Sequence, residues 1–357
     1  MKKHNLAAAI LFCGFLAVMA LSYLLPPKTF SDSERRYLAQ MPKFQWKTVS
    51  TGKWGGEVET YLTDHVLGRD LLVGINAYME YFAGRQQLKD IWVVDEKLVE
   101  APVAVDEAAI ARNMNAINAF AESVGQPIDL MVVPSAGWAS GDADYTDADA
   151  LARIAQKADS GVRMLPVQQI FEGRPELYYN TDHHWTSRGA YDAYACYMNA
   201  LGRDLRTSYA VTTVDGFRGS TYARSALWLT PAESMELWQG SEALTVTNGE
   251  TEGTHTGIFY EERLTSADMY TVFLDGNHSL VRVKNPGKEG KLLVIRDSYG
   301  NCLGGFLAES YGEVVLVDLR YYRRPVSELV REEQFDNILV CYNCLNFLTD
   351  TNLPTLK

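Results

Sequence analysis

Residues 291–301 read KLLVIRDSYGN. An unbroken apolar run, Leu292 to Ile295, stands between a lysine and the polar residues Arg296, Asp297 and Ser298. A strand with one wet face alternates apolar and polar residues, so a run without alternation predicts a strand covered on both faces. The residues that follow, to about Tyr311, predict a helix. Other short apolar runs repeat the arrangement: IWVV (91–94), IDLMVVP (128–134), VRMLPV (162–167), EVVLVDL (313–319) and FDNILVCYN (335–343). Helical stretches lie between them. Residues 106–124 put Ile110, Met114, Ile117 and Phe120 on one face, residues 146–158 form another helix, and residues 186–201 place Tyr191, Tyr194, Ala195 and Met198 on one side. Strands alternating with helices predict an α/β fold built on a mostly parallel sheet. Residues 205–285 break that rhythm. They are rich in Thr, Gly and Ser, with short alternating pieces such as ALTVTNG and YTVFLDGN, and predict a β-rich insertion.

The N-terminal part reads differently. Lys2, Lys3 and His4 precede an uncharged run from Leu6 to Leu25, closed by Pro26, Pro27 and Lys28. About 20 apolar residues match one membrane-spanning helix, and the lysines before them predict a cytoplasmic N-terminus with the remainder outside. A cleaved signal ending at Val18-Met19-Ala20 is the alternative, and both readings export the chain. The expected layout is an anchor at 1–28, an extended tether and helical segment at 29–88, and the α/β domain at 89–357. Within the second part, Trp54, Val58, Tyr61, Leu62 and Val66, then Leu72, Ile75, Met79 and Phe82, recur at helical spacing, with a break at Gly68-Arg69-Asp70. The chain has 357 residues and a formal net charge of -12, which argues against a nucleic-acid partner. Its five cysteines form no disulfide framework, and Cys341-Tyr-Asn-Cys344 lacks a second ligand pair, which predicts buried thiols.

In open α/β sheets, ligands and reacting groups gather at the carboxyl ends of strands. Ser298 follows a strand and opens a helix, where free backbone N–H groups suit a developing oxyanion. A serine hydroxyl needs an adjacent base, and histidine with an orienting carboxylate is the natural one near neutral pH. NTDHHWTSRG (180–189) offers both in Asp182 and His184, which an extended loop would point the same way, with His183 turned aside. Two plainer readings stand beside this one. Ser298 and Thr186 are each suited to capping a helix. Asp182, His183 and His184 resemble part of a metal site, but adjacent histidines do not readily converge on one ion, so no metal is expected.

TDHHWTSRGAYDAY (181–194) resembles the signature of bacterial DHHW proteins, which are similar to the alginate O-acetyltransferase proteins AlgX and AlgJ of the SGNH-hydrolase-like group. The resemblance extends to FSDSERRYLAQMPKF (30–44), EVETYLTDHVLGRD (57–70) and VIRDSYGNCLGGFLAESYGEVVLVDLRYY (294–322). It implies a flavodoxin-like α/β/α sheet with Ser298 as nucleophile, His184 as base and Asp182 as orienting acid. The order Asp, His, Ser is permuted relative to SGNH hydrolases, where the serine comes first. Asn343 and Asn346 become the oxyanion-hole candidates by strand order. His183, Trp185, Ser135, Arg296 and Tyr299 are the candidates for shaping the pocket.

The function this implies is that of a membrane-anchored, extracytoplasmic O-acyltransferase. It would carry an acyl group, acetyl in the family, from a donor to a cell-surface polysaccharide through acyl-Ser298, with no cofactor. A multipass membrane acyltransferase that delivers the acyl group is the implied partner. An esterase using the same triad is the first alternative. A noncatalytic scaffold or glycan-binding component is the second, and it predicts that Ser298 and His184 lie out of reach of each other.

Overall fold

A computed structural model describes residues 2–249 and 253–357, the side chains of residues 2–5 excepted. The chain divides into two compact units, Met1–Lys89 with Ala223–Leu229, and Asp90–Tyr222 with Thr230–Lys357.

In the first unit a helix spans Lys2–Ser22. Its apolar side chains are exposed, among them Leu6, Leu11, Phe12 and Phe15. Among the described residues no helix is long and apolar enough to cross a membrane, so the structure does not support the expected span. Lys2 and Lys3, on which the expected orientation rests, lie outside the described side chains. Residues 29–52 are less free than a tether. Phe30–Ser31 pairs with Arg36–Tyr37, and Trp46–Ser50 is a short helix. Two helices follow, Lys53–His65 and Arg69–Phe82, separated at Gly68 with φ of 72°. Asp64, buried in the first of them, ties the preceding segment down. It accepts from Arg36 at 2.5 and 3.0 Å and from the Ala39 N–H at 2.8 Å. The Arg36 hydrogen bonds lower its pKa to about 2, against the opposing effect of burial.

The second unit holds the sheet. Its strands are β1 (Ile128–Val133), β2 (Val162–Met164), β3 (Thr245–Asn248), β4 (His255–Thr256), β5 (Leu280–Lys284), β6 (Lys291–Arg296), β7 (Glu313–Val317) and β8 (Asn337–Asn343). The order across the sheet is β4-β3-β5-β7-β6-β8-β1-β2. The pairings from β7 through β2 are parallel, and those at β4, β3 and β5 are antiparallel. The apolar run of β6 explains its central place. Leu292 and Val294 enter a core shared with the helices Ser187–Leu201 and Tyr299–Leu307. Leu293 and Ile295 enter the opposite core, shared with Glu107–Val124, Asp147–Gln156, Val326–Glu333 and Cys344–Thr349. Successive side chains of a strand point to opposite faces, so a strand covered on both sides must be apolar throughout.

Two expectations change in detail. The β-rich region is not wholly separate, because β3, β4 and β5 extend one edge of the main sheet. Among its described residues, Ala210–Phe217 and Glu233–Gln239 form a separate antiparallel pair. Ile91–Val94 is a strand, but it pairs antiparallel with Lys97–Glu100 and stands apart from the parallel sheet. Asp95 and Glu96, with φ of 46° and 67°, make a tight two-residue turn. Such turns favour Asn-Gly or Asp-Gly, so Asp-Glu hides this hairpin in the sequence.

The chain leaves β1 for β2 on one side of β8, and leaves β6 for β7 on the other. The carboxyl ends of β1, β8 and β6 therefore flank a point where the winding reverses, which is where such sheets hold their ligands. The core beneath β6 and β8 includes Phe120, which is fully buried. Phe120→Ala is expected to cost about 3–5 kcal/mol of unfolding free energy. Urea denaturation checks this, and a loss under about 1 kcal/mol would contradict that packing.

Candidate active site

The segment carrying Asp182 is a series of bends between Leu177 and Thr186. It is fastened from several sides. Thr186 donates its N–H to Leu177 O at 2.7 Å, and its hydroxyl caps the next helix by accepting from Gly189 N–H. Glu233 accepts from the N–H groups of Asn180 and Thr181 at 2.8 and 2.7 Å. Lys97 Nζ donates to Asn180 Oδ1 at 2.6 Å. Trp185 is fully buried, with its ring 5.0 Å from that of Tyr299 and 6.1 Å from that of Phe171. It packs the bend from below.

Within this frame Asp182 and His184 do not line up as in an extended strand. Asp182 Oδ1 accepts from the backbone N–H of His184 at 2.9 Å, a local turn, and faces His184 Nδ1 at 2.5 Å. Its other oxygen accepts from Ser220 N–H at 2.6 Å. His184 Nε2 lies 2.7 Å from Ser298 Oγ. The carboxylate at Nδ1 holds the ring proton there and leaves Nε2 to accept the Ser298 hydroxyl proton. Ser298 stands at the cap position of its helix, yet its side chain makes no capping bond. The hydroxyl is directed to His184, which is the observation that separates the two readings of this serine.

The electrostatics agree with that tautomer. Burial opposes the charged form of Asp182, but electrostatic interaction with the neighbouring His184 and His183 rings and the bonds from His184 and Ser220 hold its pKa well below the usual value. Burial, together with neighbouring His183, lowers the pKa of His184 against the pull of Asp182. His184 is therefore neutral near pH 7, the form a general base needs.

His183 turns aside, with Nδ1 2.6 Å from Ser220 Oγ and its ring 3.8 Å from that of His184. With Ser135, Tyr299, Asn343 and Leu345 it lines a small cavity of about 10 Å³, room for about one water. Ser135 also caps a short helix, and its N–H and hydroxyl both donate to Asp147, at 2.6 and 3.1 Å. The Tyr299 hydroxyl donates to His183 O. Arg296 is fully buried and donates from Nη1 to Asn277 Oδ1 at 2.9 Å and Asp318 Oδ2 at 3.2 Å.

The two asparagines expected at an oxyanion hole have other partners. Asn343 Oδ1 caps the following helix by accepting from Leu345 N–H at 3.0 Å. Its amide donates to Tyr299 Oη at 3.1 Å and to the carbonyls of Val133 and Pro134 at 3.4 Å. Asn346 Nδ2 donates to Asp297 Oδ2 at 2.8 Å. Both tie strand ends together, and the structure gives neither one a bond to Ser298.

Asp182, His183 and His184 place one ligand atom each within 4.8 Å of one another. An ion held there would take a nitrogen or oxygen from the bonds that join Asp182, His184 and Ser298.

Three features of the site were not read from the sequence as parts of it. The ring of Tyr270 lies parallel to that of His184, 3.8 Å away at 4°. Gly219 lets the backbone press against Asp182, where an added Cβ would meet Asp182 Cβ at 2.1 Å. Asp297 accepts from Tyr299 N–H at 3.0 Å and Asn343 N–H at 2.8 Å. Each comes from a turn or loop without periodicity. Only the glycine hints at close approach, and glycine has many uses.

The fold and this arrangement define an α/β protein with a hydrogen-bonded serine, histidine and aspartate at the carboxyl end of a mostly parallel sheet. The segment that contains all three, residues 168–317, matches the family model described as DHHW protein. This bears out the resemblance read from the sequence. No curated protein matches the chain. Among solved structures, a DHHW family protein from Eubacterium siraeum matches with a TM-score of 0.64 at 21% identity, over 74% of this chain and 96% of that one. Bacillus cereus PatB1 with a sulfonyl adduct matches with a TM-score of 0.63 at 18% identity, over 75% of this chain and 98% of that one. At these identities the likeness is one of fold. The O-acetyltransferase domain of Pseudomonas putida AlgJ matches at 14% identity over 75% of this chain and 95% of that one, but with a TM-score of 0.41, and nothing rests on it.

Two outcomes are expected. If His184 acts as base, kcat/KM on an activated ester rises with pH as His184 loses its proton. Because its pKa is lowered, the midpoint falls below about 6.5. A pH–rate profile checks this, and a midpoint above 7 would contradict it. Gly219→Ala should push Asp182 off His184 and cost about 1–3 kcal/mol of stability through overpacking. Thermal melting together with ester turnover reads both effects, and an unchanged protein would contradict the close approach.

Proposed function

We propose that this protein is an extracytoplasmic O-acyltransferase that works through an acyl-Ser298 intermediate. The observation that carries the reading is the continuous run of hydrogen bonds from Asp182 through His184 to a serine that caps nothing. A scaffold or glycan-binding component would have no need to bring these groups within reach.

The chemistry follows from the geometry. Ser298 Oγ attacks the donor's ester carbonyl while its proton passes to His184 Nε2. The carbonyl π electrons move onto the oxygen and then return, the bond to the leaving alkoxide breaks, and the imidazolium protonates that alkoxide. In the second half an acceptor hydroxyl gives its proton to His184 Nε2 and attacks the acyl carbon, the bond from that carbon to Ser298 Oγ breaks, and the imidazolium returns the proton to Ser298 Oγ. Asp182 stays ionised and steadies the imidazolium in both halves. Water in place of the acceptor hydroxyl would make the same site an esterase, so the choice rests on which acceptor the site positions.

The SGNH-like fold with a permuted triad, acetyl as the acyl group, and a cell-surface polysaccharide as acceptor rest on the resemblance to DHHW proteins and alginate O-acetyltransferase proteins. A multipass membrane acyltransferase would supply the acyl group. The exposed apolar side chains of Lys2–Ser22 support attachment to a membrane.

Incubation with p-nitrophenyl acetate, acid quench and peptide mass spectrometry tests the reading. An acetyl group is expected on Ser298 in the wild type and absent from Ser298→Ala and His184→Ala. Adding glycan acceptors should then speed deacylation and yield acetylated glycan. Turnover without an adduct on Ser298 would overturn the acyl-enzyme reading. Deacylation by water alone, unchanged by any acceptor, would favour the esterase.

A further inference from the structure

The imidazole of His184 is held at its edge, with Asp182 at Nδ1 and Ser298 at Nε2. Those bonds fix it within the plane of its ring and leave it free to tilt. What lies on its two faces decides the tilt. The Tyr270 ring is parallel to the imidazole within 4°, with 3.8 Å between centroids. The His183 ring has its centroid at the same 3.8 Å, tilted by 37°. Two rings this close cannot share one face of an imidazole, and neither can lie beside its edge. His183 and Tyr270 therefore cover opposite faces, and Tyr270 is in van der Waals contact with the base.

The backbone brings Tyr270 there. It stands in a short 3₁₀ turn, Met269–Val272, and is 3% exposed. Val272 O accepts from Tyr260 N–H at 2.9 Å, and Ile258 O accepts from Leu274 N–H at 3.1 Å. Leu274 and Asp275 then take left-handed backbone, with φ of 56° and 62°, a costly conformation that persists where the surroundings impose it. The Tyr270 hydroxyl is buried with no hydrogen-bond partner among the described residues. An unpaired buried hydroxyl opposes folding, so it does not account for this placement, and the ring does.

The chemistry of a base gives that ring a task. His184 is neutral at rest and becomes an imidazolium when the Ser298 proton reaches Nε2. An aromatic face carries negative potential and attracts a cation. A planar, delocalised cation stacks flat on such a face, as a guanidinium does. The attraction grows as the charge forms, so it favours the transition state over the resting state. The other titratable groups facing the imidazole are Asp182 and His183 from its own bend, Asp268 from the turn before Tyr270, and Tyr299, whose ring is 5.2 Å away. Asp182 and Asp268 favour the cation, and His183 opposes it.

We infer that Tyr270 is a positioning residue for His184: its ring keeps the imidazole on the line from Asp182 to Ser298 and stabilises the imidazolium, while His183 closes the opposite face. This rests on the acyl-enzyme reading above and adds to it a residue that acts through the base.

The test follows acetylation of Ser298 by p-nitrophenyl acetate as a function of pH, by quench and mass spectrometry, in full-length wild type, Tyr270→Leu and Tyr270→Phe. Tyr270→Leu keeps an apolar cover and removes the ring. It should acetylate about tenfold more slowly, in kcat rather than KM, with the midpoint of the pH profile lowered by about 0.5–1 unit. Tyr270→Phe should restore both. Because leucine leaves space in the core, phenylalanines carrying one, two and three ring fluorines at position 270 give a second measurement. Fluorine weakens the negative face and hardly alters the shape, so rate and midpoint should fall in step with its number. An acetylated wild type with no trend across the fluorine series would overturn this inference alone. A midpoint that rises in Tyr270→Leu would do the same, since that is the result of admitting water to a buried base. So would a Tyr270→Phe as slow as Tyr270→Leu, which would assign the role to the hydroxyl. A wild type that takes no acetyl on Ser298 would overturn the acyl-enzyme reading and this inference with it.

Discussion

The Asp297 carboxylate sits where the central strand of the sheet becomes the helix that Ser298 opens, and the site is organised around it. Oδ1 accepts from Tyr299 N–H at 3.0 Å; Oδ2 accepts from Asn343 N–H and Asn346 Nδ2, both at 2.8 Å. Burial pushes its pKa up, and these bonds pull it back. A buried carboxylate with three donors is costly to disturb, because losing one partner leaves a desolvated group unpaired. In return it joins the ends of two neighbouring parallel strands to the first turn of the helix. That junction sets the direction of Ser298, and the rest of the triad is brought to it.

The triad is assembled from distant parts of the chain. His184 and Ser298 are 114 residues apart in sequence. The histidine comes from a bend that owes its shape to capping, to Glu233 and to the buried Trp185, whereas the serine comes from the sheet. Asp182 serves both parts. One oxygen shapes its own turn through His184, and the other receives Ser220 N–H from the segment that Gly219 brings close. The order of these groups along the chain matters less than which elements the sheet places side by side.

Arg296 shows a related economy. A fully buried guanidinium beside a reactive serine is expensive, and burial lowers its pKa despite the neighbouring Asp318. Asp318 is also bound by Arg320 at 2.6 and 2.9 Å, so the acid is shared. Arg296 Nη1 also donates to Oδ1 of the exposed Asn277.

The sequence alone marked most elements of the sheet and three polar residues that the fold brings together. Continuous apolar runs marked β1, β6, β7 and β8 because a strand covered on both faces has no polar position to show. The helical faces at 106–124 and 186–201 were legible for the same reason of burial. Asp182, His184 and Ser298 were legible because few residue types can activate a hydroxyl. The tertiary structure alone decided what the asparagines at the strand end are bonded to. Asn343 and Asn346 stand at the expected strand end, yet backbone and carboxylate partners claim them. It also decided that Tyr270 stacks on His184 and that Gly219 presses against Asp182. These residues arrive on turns and loops, where no repeat distance ties sequence position to direction. Their placement follows from left-handed backbone and from partners far along the chain, which only the folded molecule brings together.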